Sequence, residues 1–108
     1  MMFEEFVSEL DGENQDDFLS RDLSILHFFS DWQMNCLMTL PILESLAEEF
    51  SDKIFFGKVN VEEQDDLAEK FNIKKVPTLL VFKKGKQVDR IENCSCEETL
   101  RERISCFL

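Results

Sequence analysis

The stretch Leu23-Ser24-Ile25-Leu26-His27-Phe28-Phe29 is a near-continuous apolar run. A strand that is apolar on both faces needs cover on both faces, the condition of a central strand in a largely parallel sheet flanked by helices. The next segment can supply part of that cover. From Gln33 to Phe50, the residues Leu37, Leu40, Leu43, Leu46, Ala47 and Phe50 recur at helical spacing, with Glu44, Glu48 and Glu49 left to face water. The pattern predicts a long amphipathic helix, with a kink where Pro41 lacks an amide donor and crowds the preceding turn.

The rest of the chain alternates in the same way. Phe6 to Leu10 reads as a short edge strand, and the segment near Asn14 to Ser20 as a short helix. Ile54 to Val59 reads as the next strand. Asn60 followed by Glu63 has the spacing of a helix-start cap ahead of Leu67, Ala68 and Phe71. Val76 to Phe82, the turn Lys83-Lys84-Gly85-Lys86 and Gln87 to Ile91 form a strand, tight turn and strand, which must pair antiparallel. Ser95 and Glu98 have capping-box spacing, and Leu100, Ile104 and Phe107 mark the apolar face of a last helix. Strands alternating with helices, closed by a hairpin, predict an α/β domain over residues 1–108 with a mixed central sheet and helices on both faces.

At 108 residues the chain suits one core. Its aromatics are eleven Phe, one Trp and no Tyr, so that core needs few buried polar partners. Twelve basic against 23 acidic side chains leave a net charge of −11, which repels phosphate backbones and anionic lipid surfaces; neither nucleic acid nor a membrane is expected as a partner. The first residues carry no basic segment followed by an apolar run, and no stretch approaches the ~20 apolar residues of a membrane span. The expected location is therefore cytoplasmic. Cys36, Cys94, Cys96 and Cys106 are then expected as reduced thiols. One histidine and two sulfurs in a short loop fall short of a closed zinc site, so neither metal nor cofactor is expected.

From Phe18 to Phe107 the chain resembles the thioredoxin family: Trp32-Gln33-Met34-Asn35-Cys36, Pro41, Val76-Pro77-Thr78 and Lys84-Gly85 stand at matching separations. The resemblance implies a thioredoxin fold, with Pro77 as its cis-proline. It also implies a departure. In the family a first cysteine at the exposed helix start attacks a disulfide and a second resolves the mixed disulfide; here Gln33 stands at the first position and only the second, Cys36, is filled. An amide cannot form a thiolate, so ordinary dithiol turnover is not expected. His27 falls where the family places a buried acid. It is read either as a proton acceptor for Cys36, whose thiolate the imidazolium would stabilise, or as a strand histidine satisfying one hydrogen bond.

The same resemblance brings the Cys94-Ser95-Cys96 loop to the border of the site, where Cys94 could approach Cys36 or pair with Cys96; all three are otherwise free thiols. Lys74 and Lys75 precede the proline and are read as acidic-partner selectors or as solubilising residues, and Cys106 as a small packing residue. The expected function is binding of an extended polypeptide in the groove formed by Trp32, Gln33, Val76, Pro77, Thr78 and Asn93, by a monomer without disulfide reductase activity. Two alternatives stay open. One is a single-thiol oxidoreductase using Cys36 with glutathione or a protein; the other is a chaperone-type redoxin.

Overall fold

The structure, a computed structural model, describes residues 7–94 and 96–108. In chain order the elements are β1 (Val7–Glu9), α1 (Gln15–Leu19), β2 (Leu23–Phe29), α2 (Met34–Glu49), β3 (Phe55–Asn60), α3 (Asp65–Lys70), β4 (Thr78–Lys83), β5 (Lys86–Glu92) and α4 (Glu97–Ser105). The strands form one sheet in the order β1-β3-β2-β4-β5. β1, β3 and β2 run parallel, while β4 is antiparallel to β2 and β5 antiparallel to β4. The apolar run of β2 is thus the central strand, with every residue buried.

Side-chain alternation on the inner strands feeds two cores. Leu23 and Ile25 of β2 and Leu79 and Val81 of β4 pack on one face against Leu43, Leu46 and Ala47 of α2 and Leu100 and Ile104 of α4. On the other face Leu26, Phe28, Leu80 and Phe82 meet Phe18 and Leu19 of α1 and Leu67 of α3. Each such side chain, fully buried, contributes about 1.5–3 kcal/mol, which is why a strand apolar on both faces settles between two helical layers. The β4–β5 hairpin turns through Lys84 and Gly85, both at positive φ (52° and 84°), the geometry of a two-residue turn that suits strand twist. Phe107 packs against the first core just after α4 ends.

Two expectations change. Leu37 is 46% exposed, and the buried stripe of α2 is Cys36, Thr39, Leu43, Leu46 and Ala47. Leu37 lies about 100° around the helix from Cys36, on the solvent side. The Asn60–Glu63 cap does not form: Asn60 Oδ1 accepts from the Glu62 amide in a turn, and α3 begins later, at Asp65, with no side-chain cap at Gln64. Helix α2 is one continuous element containing Pro41. The Ser95 half of the proposed capping box lies outside the described residues; the residue at the N-cap of α4 is Cys96.

Candidate functional site

β2 delivers the chain to one end of the sheet, and only four residues, 30–33, separate it from α2, so the turn and the first turn of the helix together hold the Trp32–Cys36 stretch there. Gln33 is the N-cap residue in extended conformation, and its amide side chain makes no capping bond. Cys36 lies wholly buried under this turn. Its sulfur accepts a hydrogen bond from the Ser30 amide at 3.4 Å. Ser30 in turn ties the turn together: its Oγ donates to Glu62 Oε1 at 2.5 Å and accepts from the Trp32 amide at 3.3 Å.

Burial pushes the Cys36 thiol above its ordinary pKa; the Ser30 amide pulls the other way and the Asp31 charge adds to the rise. Amides at a helix start favour a thiolate, but the first turn of α2 also removes the sulfur from water, and desolvation of a charge outweighs them. The environment of Cys36 therefore favours the thiol form.

His27 is buried on the central strand, its ring stacked on Phe29 with centroids 5.6 Å apart. Neither ring nitrogen has a hydrogen-bond partner. Burial, then the charge of Lys58 on the neighbouring strand, lowers its pKa to about 3. The imidazole is therefore neutral, and among the described residues no hydrogen bond joins it to Cys36. Both readings of His27 change: an imidazolium is disfavoured because dry surroundings and a nearby ammonium oppose it, and the single satisfied hydrogen bond is absent.

The Val76–Pro77 peptide bond is cis. Thr78, buried behind it, donates from Oγ1 to the Lys75 carbonyl at 2.7 Å. The Asn93 amide donates to the Pro77 carbonyl at 2.8 Å, and Asn93 Oδ1 accepts from Asn35 Nδ2 at 3.1 Å. Two hydrogen bonds thus bring the proline loop, the end of β5 and the first turn of α2 together. Beside them Trp32 is 82% exposed, Met34 69% and Met38 53%. With Leu37 these supply four of the seven exposed large apolar side chains among the described residues. Trp32, Val76, Pro77 and Asn93 were legible in the sequence. Met34, Asn35 and Met38 were not singled out, although Met34 and Met38 stand one turn apart and out of phase with the buried stripe. A shallow apolar depression lined by Val61, Ala68, Ile73 and Val76 continues this surface, with Lys74 and Lys75 at its rim.

All four thiols are free. Cys94 is half-buried against the α2–α4 core, its sulfur 4.0 Å from the Cys96 carbonyl oxygen. Cys96 is exposed at the N-terminus of α4. Cys106 is exposed rather than packed, because α4 ends before it, and its thiol donates to the Glu102 carbonyl at 3.3 Å. Among the described residues no three His, Cys, Asp or Glu side chains converge as a metal site would require.

Comparison with known proteins agrees with this geometry over nearly the whole chain. The family profile described as Thioredoxin matches residues 6–106. The chain is 36% identical over 99 residues to the thioredoxin of Chlamydia caviae, covering 92% of this chain and 96% of that protein. To the thioredoxin of Staphylococcus saprophyticus it is 33% identical over 102 residues, covering 94% and 98%. Among solved structures, a mutant thioredoxin from Halobacterium salinarum superposes with a TM-score of 0.86 at 28% identity, covering 99% of this chain and 96% of that one. The thioredoxin of Malassezia sympodialis gives 0.83 at 25% identity, covering 94% and 90%. A five-stranded mixed sheet clothed by four helices, a cis-proline facing the start of the second helix, and relatives of these lengths and identities together make the chain a member of the thioredoxin family.

Proposed function

We propose that this chain is a polypeptide-binding member of the thioredoxin family whose Trp32–Cys36 site does not carry out dithiol–disulfide turnover. The observation that carries the reading is the pairing of a fully buried Cys36, whose burial disfavours the thiolate, with an exposed apolar surface around Trp32. Gln33, at the position of the family's attacking cysteine, supplies an amide where a thiolate is needed. What remains is a docking face: backbone groups beside Val76 and Pro77 for an extended peptide, with Trp32, Met34 and Met38 for apolar contact.

The test has two arms. In a Cys94→Ser/Cys96→Ser variant, which leaves Cys36 as the only thiol near the site, insulin reduction with dithiothreitol is expected to stay at the uncatalysed rate; turnover like that of a thioredoxin would overturn the reading. Binding of reduced, carboxymethylated lactalbumin, an unfolded polypeptide, is expected and should weaken at least about tenfold in Trp32→Ala, since exposed tryptophans at the centre of an interface dominate its energy. Undiminished binding would place the docking surface elsewhere.

The rival in which Cys36 itself exchanges disulfides with glutathione or a protein is disfavoured by its burial and raised pKa. A chaperone-type activity shares the same exposed surface and is read by suppression of client aggregation. The remaining features of the proposal are one domain over residues 1–108, a monomer, and a cytoplasmic location; no helix of the described residues is long and apolar enough to cross a membrane.

A further inference from the structure

The four thiols differ in ways that single out one. Cys36 is wholly buried. Cys106 is exposed, but it lies at the C-terminal end of α4 with its S–H engaged by a carbonyl, where the helix dipole opposes a negative sulfur. Cys94 is half-buried against the core. Cys96 alone is both exposed and set at the N-terminus of a nine-residue helix, where unpaired amides favour a thiolate.

Cys94 and Cys96 also form a pair. A disulfide needs Cα atoms within about 6.8 Å and Cβ atoms about 4 Å apart, which residues two apart in a chain meet when the backbone between them bends well short of its ~7 Å full extension, closing a small strained ring. The Cys94 sulfur already lies 4.0 Å from the carbonyl oxygen of residue 96. The loop itself is tied to the docking surface: Asn93, immediately before Cys94, turns the chain at φ 54° and is hydrogen-bonded to both the Pro77 loop and Asn35 of α2.

We infer that Cys94 and Cys96 form a second redox site, in which exposed Cys96 attacks small or peptide disulfides and half-buried Cys94 resolves the product. The Cys96 thiolate attacks one sulfur of R–S–S–R, forming Cys96–S–S–R and releasing R–S⁻. Cys94, deprotonated, then attacks the Cys96 sulfur and expels the second R–S⁻. The substrate disulfide has gained two electrons and become two thiols; the chain has lost them as a Cys94–Cys96 disulfide, and the two thiol protons pass to the departing thiolates. The surroundings of Cys96 fit the first role. The Thr99 hydroxyl, then the Thr99 and Glu98 amides, lower its pKa from the ordinary thiol value, and its sulfur makes no capping hydrogen bond in the structure.

The test uses the full chain and oxidised glutathione at neutral pH, quenched at intervals and read by peptide mass spectrometry. Cleavage after Arg90 and Arg101 puts Cys94 and Cys96 on one peptide and separates them from Cys36 and Cys106. The expected result is loss of two hydrogens on residues 91–101, severalfold faster than glutathione addition at Cys106, whose thiol lies at the opposite end of α4. In Cys94→Ser the glutathione adduct should accumulate at Cys96; in Cys96→Ser both products should disappear. Equal rates at Cys96 and Cys106, or an unslowed reaction at Cys94 in Cys96→Ser, would overturn the assignment. A small disulfide needs no docked polypeptide, so this outcome and that of the lactalbumin experiment are read independently.

Discussion

His27 is a base that the fold keeps neutral, and that sets a pH dependence. Its pKa is lowered to about 3 by burial and Lys58 from an ordinary 6.5. Below pH 6.5 the unfolded chain binds a proton at this residue while the folded chain does not, so the contribution of His27 to stability falls as pH drops from 6.5 towards 3 and is flat above that window. The full loss is on the order of 5 kcal/mol. His27→Leu removes two unpartnered buried nitrogens without changing the side-chain bulk greatly. It is expected to stabilise the fold by about 1–3 kcal/mol at pH 7, and by more as the pH falls, in urea unfolding followed by circular dichroism. A variant less stable than the parent at both pH 7 and pH 4 would show that the imidazole finds a partner, for instance a buried water.

At the scale of elements, the close fit of β3 against the α1 layer depends on Gly57. A methyl group there would stand 2.5 Å from Leu10 Cδ1 and 3.1 Å from Phe18 Cζ. Leu10 and Phe18 are themselves buried, so neither side chain can swing into solvent without losing its own contacts. Gly57→Ala is expected to destabilise by about 1–3 kcal/mol, the cost of overpacking, measured as a lower urea midpoint with an unchanged slope. An unchanged midpoint would mean that α1 can shift outward freely. The last helix is held differently. Arg101 pairs with Glu49 of α2 at 3.0 Å and Arg103 with Asp89 of β5 at 2.6 Å, on top of the buried Leu100 and Ile104. Arg103 holds the Asp89 carboxyl below its ordinary pKa, so that pair strengthens α4 above the carboxylate range and is lost on acidification.

For the whole molecule the question is whether the scaffold still supports the dithiol chemistry that, in the function proposed above, Gln33 withholds. Gln33→Cys, made in the Cys94→Ser/Cys96→Ser background, places a thiol at the exposed N-cap of α2, three residues before Cys36 on a fold that superposes with thioredoxins at a TM-score of 0.86. Insulin reduction with dithiothreitol is expected to rise at least about tenfold over the background variant, through the lowered pKa of a thiol at a helix start. No gain in a variant with parental unfolding behaviour would assign the missing turnover to His27 as well, since an imidazole whose pKa is lowered to about 3 is a weak base for the Cys36 proton.

Periodicity alone carried the architecture. A strand apolar on both faces, alternating strands and helices, and a Lys84-Gly85 turn demand two helical layers on a mixed sheet, because burial and backbone hydrogen bonding leave few other ways to cover Leu23–Phe29. Trp32, Pro77 and Asn93 are named as groove residues by the resemblance to the thioredoxin family, not by periodicity. What the tertiary structure decided was the environment of each group. Whether Cys36 is a reactive thiol stays open in the sequence until the turn above it is seen to shut out water, and whether His27 is a base stays open until Lys58 is seen in register with it. Leu37 has helical spacing, but the rotation of α2 on the sheet sends it to solvent with Met34 and Met38. Hydrophobic pattern is local and repeats along the chain; desolvation, charge proximity and helix rotation depend on residues distant in sequence, and only the packed fold brings them together.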